Sequence, residues 1–254
     1  MKKSWIIALN TFNESLRKKT FYILLVVALV VIGASRFFSF LAAEDELKMI
    51  KDVSFSTIEF FGALIAIFTA LAAVSGEIEK RTIYTLLSKP ITRNNFIIGK
   101  LIGQSLIILL NVLLMSIFFI VLLFIKKSPP DVQEFKTIFL LFVELILVGS
   151  ITLAVATFAT DAFNLIFSFF LYIVGHLTSY GQQLLDRTEN FIVKRLGGLL
   201  YTTIPNYENF NIKDKVVVGV DVSWKYVGQT TLYGIIYITI AVLIGIYFFH
   251  KREV

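Results

Sequence analysis

The chain has no cysteine, only two histidines, and few charges: Asp, Glu, Lys and Arg make up 17% of its 254 residues. Without cysteine there is no disulfide framework and no thiolate metal site, and the redox compartment stays open. The histidines, His176 and His250, fall in no HExxH or paired spacing, so sequence alone expects no metal site and no resident cofactor. A phosphate-binding loop is also missing. Gly99-Lys100 resembles the end of one, but the glycine needed five residues before Gly99 is Asn94.

What the chain has instead is apolar surface. Hydrophobic residues reach 57%, many of them phenylalanine, and mean hydropathy is +0.79, which places it among membrane proteins. The net charge of +6 therefore matters through its distribution across a bilayer, and nucleic acid is not an expected partner. About 20 apolar residues cross a bilayer core. Six runs qualify: Phe21–Leu41, Ile58–Ser75, Phe96–Ile125, Ile138–Thr160, Ala162–Gly181 and Thr230–Phe249. The third exceeds what a bilayer needs, so it should tilt or project. The fourth and fifth are split only by a turn at Asp161. The fold class expected is an all-α membrane protein, residues 1–254 forming a single transmembrane domain.

Lysine and arginine set the orientation. With the N-terminus inside, the inner segments hold 12 basic residues, among them Lys2, Lys3, Arg17, Lys18, Lys19 and Lys251, against the acids Glu14, Glu77, Glu79, Asp161 and Glu253. That leaves +7 inside and −1 elsewhere, while the loop Ala42–Thr57 carries Glu44, Asp45, Glu46 and Asp52. Both termini are therefore expected in the cytoplasm of a multi-pass protein of the cell (inner or plasma) membrane. The run Ser179–Gln183 faintly resembles an ATPase signature loop, but on this topology it lies at the outer end of a span, away from ATP.

Residues 1–20 read as an interfacial amphipathic helix. Trp5, Leu9, Phe12 and Leu16 share one face, opposite Asn13, Glu14 and Arg17. A cleaved signal peptide would need a shorter apolar run. Residues 182–229, between the fifth and sixth spans, read as a small extracytoplasmic cap. Leu185, Ile192, Leu196 and Leu199 suggest an amphipathic helix, Ile204–Asp214 an irregular turn region, and alternating Val216, Val218, Val220 and Val222 a short strand. About 48 residues are few for an independent domain, so the cap should pack on the membrane face.

Between the second and third runs lies a charged island, Gly76 to Lys100. It is too polar for hydrocarbon, so the chain leaves the membrane and re-enters. Glu77 and Glu79 come first, then Leu86 and Leu87, then a stop at Pro90. Acids at the start and proline at the end mark a short surface helix. A docking element is one reading of it; a solvated loop near anionic lipid is the other.

The remaining polar groups near the membrane are Arg36, Glu59, Glu144, Asp161, Asn164 and His176. Intramembrane ionisable groups are costly and point to function by default. Arg36 and Glu59 fall near the outer ends of neighbouring spans, placed to pair or snorkel. Glu144 is the costliest unless protonated or partnered; a substrate path and an interhelix hydrogen bond both fit it. Asp161 suits a cap for the turn or the helix after it. His176 suits a neutral imidazole bonded to a neighbouring helix, and His250 an interfacial anchor. Nothing here forms a catalytic constellation.

Six spans, an N-terminal interface helix and this island together resemble the permease subunit of a type-2 ATP-binding-cassette (ABC-2) transporter. The likeness rests on Glu77, Glu79, Thr82, Leu86-Leu87-Ser88, Pro90, Arg93 and Gly99-Lys100 in order, with Ile204-Pro205-Asn206, Phe210 and Lys251-Arg252 beyond. It is similar to the branch that includes the nitrous-oxide-reductase maturation permease; the family's usual glycine before the threonine is Arg81 here. The resemblance implies a cytoplasmic coupling helix within residues 76–95, about Glu77–Ser88, seated on a separate ATPase. Two such ATPase subunits would hold the ATP and Mg, and a second permease chain, identical or paralogous, would complete the complex. Arg81, Arg93 and Glu77 would supply charged contacts, with Leu86 and Leu87 as the apolar knob. Export or extrusion of a substrate, mildly an apolar or lipid-linked one, is the function implied. A non-transporting transducer acting on an outer partner is the second reading, and an intramembrane enzyme using Glu144, Asp161 or His176 the third.

Overall fold

The computed structural model describes residues 2–41, 45–79, 92–186, 195, 197–198 and 203–251. The helices with described bounds are α1 (Lys2–Leu16), α2 (Lys19–Leu41), α3 (Glu46–Glu79), α4 (Arg93–Ile125), α5 (Val132–Ala156), α6 (Asp161–His176), α7 (Thr178–Asp186), α8 (Lys213–Val217) and α9 (Trp224–Lys251). Among the described residues there is no strand. The strand expected through Val216–Val222 is instead the short α8, closed by Gly219 at φ +83°. A lone strand here would leave its backbone unpaired, whereas one helical turn buries Val216 against the core.

Five helices are long and apolar enough to cross a membrane: α2, α3, α4, α5 and α9. The fifth expected span is shorter than the sequence suggested. α6 has 16 residues, about 24 Å at 1.5 Å per residue. It stops at Leu177, where the Thr178 hydroxyl donates to the Gly175 carbonyl at 2.8 Å. α3 is longer than expected, because the acid-rich loop folds from Glu46 as its first turns. Those charges find partners. Lys126 pairs with Glu46, and Lys51 sits 2.6 Å from Glu134.

The most buried helices are α3 and α5, with α4 beside them, while α2 and α9 leave most of their apolar surface outward. One end of the bundle is built around the flanks of the charged island. There Ile7, Val74, Phe96, Ile97, Ala156 and Phe249 form a compact cluster drawn from α1, α3, α4, α5 and α9. Arg93 Nη1 donates to the carbonyls of Phe249 (2.9 Å) and His250 (2.8 Å), closing the C-terminal end of α9. His250 Nε2 donates to Asn94 Oδ1 at 2.8 Å. The N-terminal helix and the end of α9 thus lie at the island's end of the bundle.

α1 sits with its faces the other way round from a simple surface helix. Trp5 and Leu9 point outward, while Ser4, Ile7, Ala8, Thr11 and Ser15 are buried. Small residues let α1 approach α4 closely over Gly99 and Gly103, one turn apart. A Cβ on Gly99 would lie 2.8 Å from the Ser4 carbonyl, and one on Gly103 2.5 Å from that of Ala8. Lys100, fully buried between these glycines, lies over the Phe96 ring at 5.3 Å.

At the opposite end, residues 203–222 fold into the bundle instead of standing off it. Tyr207, Phe210 and Ile212 are almost completely buried in the same core as α3, α4 and α5. Lys136 donates to the Val222 carbonyl at 2.7 Å, and Gln133 to Asp221 at 2.9 Å.

Candidate functional site

Three helices bring ionisable side chains together at the end remote from the island. α3 supplies Glu59, α5 supplies Glu144, and the last turn of α6 supplies His176. Residue 59 stands two turns into the apolar part of α3, facing the interior at 4% exposure, and Glu144 is at 0%. At that burial little water reaches the carboxylates, and direct partners carry their solvation.

His176 joins both acids. Its Nε2 is 2.6 Å from Glu59 Oε1 and 3.3 Å from Glu144 Oε1. Its Nδ1 is 3.0 Å from the Tyr172 carbonyl. A carbonyl only accepts, so Nδ1 carries a proton and Nε2 is the atom turned to the carboxylates. Lys213, on α8 outside the spans, donates to the other Glu59 oxygen at 2.6 Å. Burial pulls the Lys213 pKa down, and the Glu59 carboxylate more than restores it, leaving it above the ordinary lysine value. Neither oxygen of Glu144 makes a hydrogen bond of its own. The ligand-capable atoms of Glu59, Glu144 and His176 all lie within 4.8 Å of one another.

Aromatic rings wall the cluster. His176 packs against Tyr172 and Tyr207, with ring centroids 4.6 and 5.4 Å away. Gly175 makes room for this: a Cβ there would lie 2.3 Å from the Tyr207 ring. His176 itself keeps about a fifth of its side-chain surface exposed, 21%, which opens the cluster to its surroundings.

Of the polar residues singled out in the sequence, three meet here. Glu59 bonds to His176 and Lys213, not to Arg36, which is exposed on α2. Asn164 and Asp161 lie elsewhere. Asn164 is fully buried, donates to the Thr152 carbonyl of α5 at 3.0 Å, and accepts from Ser168. It is an interhelix tie. Asp161 opens α6 about 22 Å from His176 along the helix, with Thr160 in the cap position. Asp161 is therefore too far from His176 to share a site with it. Lys213 escaped the sequence reading because it sits in a polar, irregular stretch, and only the fold returns that stretch to Glu59.

Asp161 borders a different feature, a cleft of about 240 Å³ towards the island's end of the bundle. Ser15, Lys18, Phe21, Leu24 and Phe68 help to line it, so it is apolar with one charge of each sign.

The island is reached from both sides. Glu77 and Glu79 lie on the last turn of α3, and Thr92 caps α4, accepting from the Asn95 N–H at 3.3 Å. Arg81, Thr82, Leu86, Leu87 and Pro90 lie outside the described residues. Arg93, expected to face an ATPase, is engaged with the end of α9.

Comparison with known proteins agrees with this architecture. A family model described as ABC-2 family transporter protein matches residues 5–254, nearly the whole chain. A search of curated proteins finds no match. The match does not reach down to the nitrous-oxide-reductase maturation branch, and that narrower likeness is unsupported. Long apolar helices, a polar island between the second and third of them, and a family match over almost every residue lead to one assignment: the chain belongs to the ABC-2 transporter family, as a multi-pass membrane permease.

Proposed function

We propose that this chain is the membrane-spanning subunit of an ABC-2 exporter, driven by ATP hydrolysed, with Mg, on two separate ATPase subunits. The observation that carries this reading is the pair of rods flanking the island. α3 has 34 residues and α4 33, each about 50 Å at 1.5 Å per residue, against a hydrocarbon core of about 30 Å. A docking helix held between two continuous rods passes a push into the bundle, where a loose loop would absorb it. Glu77 and Glu79 would meet the ATPase with Arg81 and Thr82, and Leu86 and Leu87 would fill its groove ahead of Pro90. Arg93 contributes by fixing α9 to the base of α4, not by direct contact.

In this reading both termini and the island are cytoplasmic, by the excess of basic residues there. α6 is the short sixth pass, and residues 182–229 form the extracytoplasmic cap. The outward apolar faces of α2 and α9 serve lipid and a second permease chain. The apolar cleft between α2 and α3, with Lys18 and Asp161 at its rim, suits an amphipathic or lipid-linked cargo entering from the membrane.

One observation favours a transducer as the second reading: Tyr207, Phe210 and Ile212 lock the cap into the core, so motion of α3 reaches it directly. ATP-stimulated flux across vesicles separates exporter from transducer. The permease reading itself is tested by purifying the tagged chain from its native membrane in mild detergent. A stoichiometric ATPase, lost from Leu86→Asp/Leu87→Asp, is the expected result. Its absence where a known ABC transporter stays assembled would overturn the reading.

A further inference from the structure

We propose that Glu59, Glu144 and His176 form a binding site for a zinc-class divalent cation, joining α3, α5 and α6 at the end of the bundle remote from the island. The donor set fits. One imidazole nitrogen and two carboxylates suit zinc and its first-row neighbours, and with no thiolate a soft monovalent metal has nothing to select it. The approach also fits. Ligands about 2.0–2.2 Å from a tetrahedral zinc stand about 3.4 Å apart. Glu144 Oε1 and His176 Nε2 are at 3.3 Å, and the Glu59 oxygen, at 2.6 Å, needs only a small rotation outward.

The outer contacts are those of a metal site with its cation still to be counted. Metal-binding histidines donate their second nitrogen to a carbonyl or carboxylate, and His176 Nδ1 donates to Tyr172. Lys213 holds Glu59 by the oxygen turned away from the imidazole. Two of the three ligands are thus oriented from behind. Glu144 is not: it is completely buried, points at His176 Nε2, and has no hydrogen bond at either oxygen. A proton on the imidazole would serve one carboxylate and leave the other unbonded. A divalent cation meets all three ligands at once, and the exposed edge of His176 is the side from which it would enter. The inference does not depend on the ATPase or on transport, so the chain alone tests it.

The experiment uses the full-length chain in detergent, stripped with a chelator and titrated with Zn²⁺ by calorimetry, with Mg²⁺ in parallel. One Zn²⁺ per chain is expected, with Mg²⁺ binding at least 100-fold more weakly. Glu144→Gln and His176→Gln should each weaken Zn²⁺ at least 100-fold, while His250→Gln binds as the parent does. X-ray absorption at the zinc edge of the unmutated chain needs no variant to fold, and should show one imidazole in an otherwise oxygen shell. Failure to bind stoichiometric Zn²⁺, binding that both glutamine variants retain, or a zinc shell without imidazole would each overturn the proposal and leave the cluster a proton-bearing joint.

Discussion

Lys213 Nζ lies 2.6 Å from Glu59 Oε2, tying a five-residue helix outside the spans to the apolar part of α3 across 154 residues of sequence. Both side chains are largely buried, at 17% and 6% exposure. The bond is therefore a strut between cap and bundle, and its loss leaves a carboxylate short of a partner in a dry place. Lys213→Met is predicted to destabilise the chain by about 3 kcal/mol, the usual cost of removing one member of a buried pair. Thermal unfolding in detergent reads the loss, and a midpoint unchanged from the parent would contradict it.

Arg93 makes a second prediction, at the other end. Its guanidinium satisfies two carbonyls that the end of α9 leaves open, a bond to a charged group worth about 1.5–3 kcal/mol. Arg93→Met should fray the last turn of α9, seen as faster hydrogen exchange from about residue 247 onward, with the rest of the bundle unchanged. The ATPase should still bind. If Arg93 instead contacts the ATPase directly, association weakens while exchange at the end of α9 stays as it was.

The close approach of α1 to α4 depends on the absence of a side chain at Gly103, where a Cβ would meet the Ala8 carbonyl and Thr11. Gly103→Leu is predicted to push α1 off the bundle, costing about 1–3 kcal/mol or more for overpacking. Protease cleavage within residues 2–16 should rise sharply. Gly228→Leu, at a position open to its surroundings, serves as the control and should leave cleavage unchanged.

Asn164 separates structural from functional polarity. Its bond to the Thr152 carbonyl is an interhelix tie of the kind that averages about 0.6 kcal/mol in membranes, and Ser168 braces it from within α6. Asn164→Ala should lower stability by about that amount plus a small cavity term, and leave Zn²⁺ binding by the remote cluster untouched. A loss of binding equal to that of Glu144→Gln would contradict the separation of the two sites.

The sequence showed the long helices because twenty apolar residues leave a chain few choices, and it showed the island because charges cannot stay in lipid. α6 escaped it. Its apolar run is continuous with Leu177 and Tyr180, and the break comes from where the Thr178 hydroxyl turns, which composition does not record. Glu59, Glu144 and His176 were each visible as polar residues out of place. That they meet was not, because their spacings of 85 and 32 residues follow no motif and depend on how α3, α5 and α6 cross. Arg93 has partners that the sequence did not show: a basic residue beside a docking segment resembles a partner contact, and the fold also brings the end of α9 within its hydrogen-bonding reach.

The absence of cysteine makes the central claim, a push carried from island to cap along α3, directly measurable. Asp52→Cys on α3 and Lys225→Cys at the start of α9 place two spin labels at exposed sites in an otherwise cysteine-free chain. Their separation is read by pulsed electron resonance in the assembled, membrane-reconstituted complex, with and without a non-hydrolysable ATP analogue. A shift in the distance distribution on nucleotide binding, abolished by Leu86→Asp/Leu87→Asp, is the result predicted. An unchanged distribution in a complex that hydrolyses ATP would contradict the coupling account.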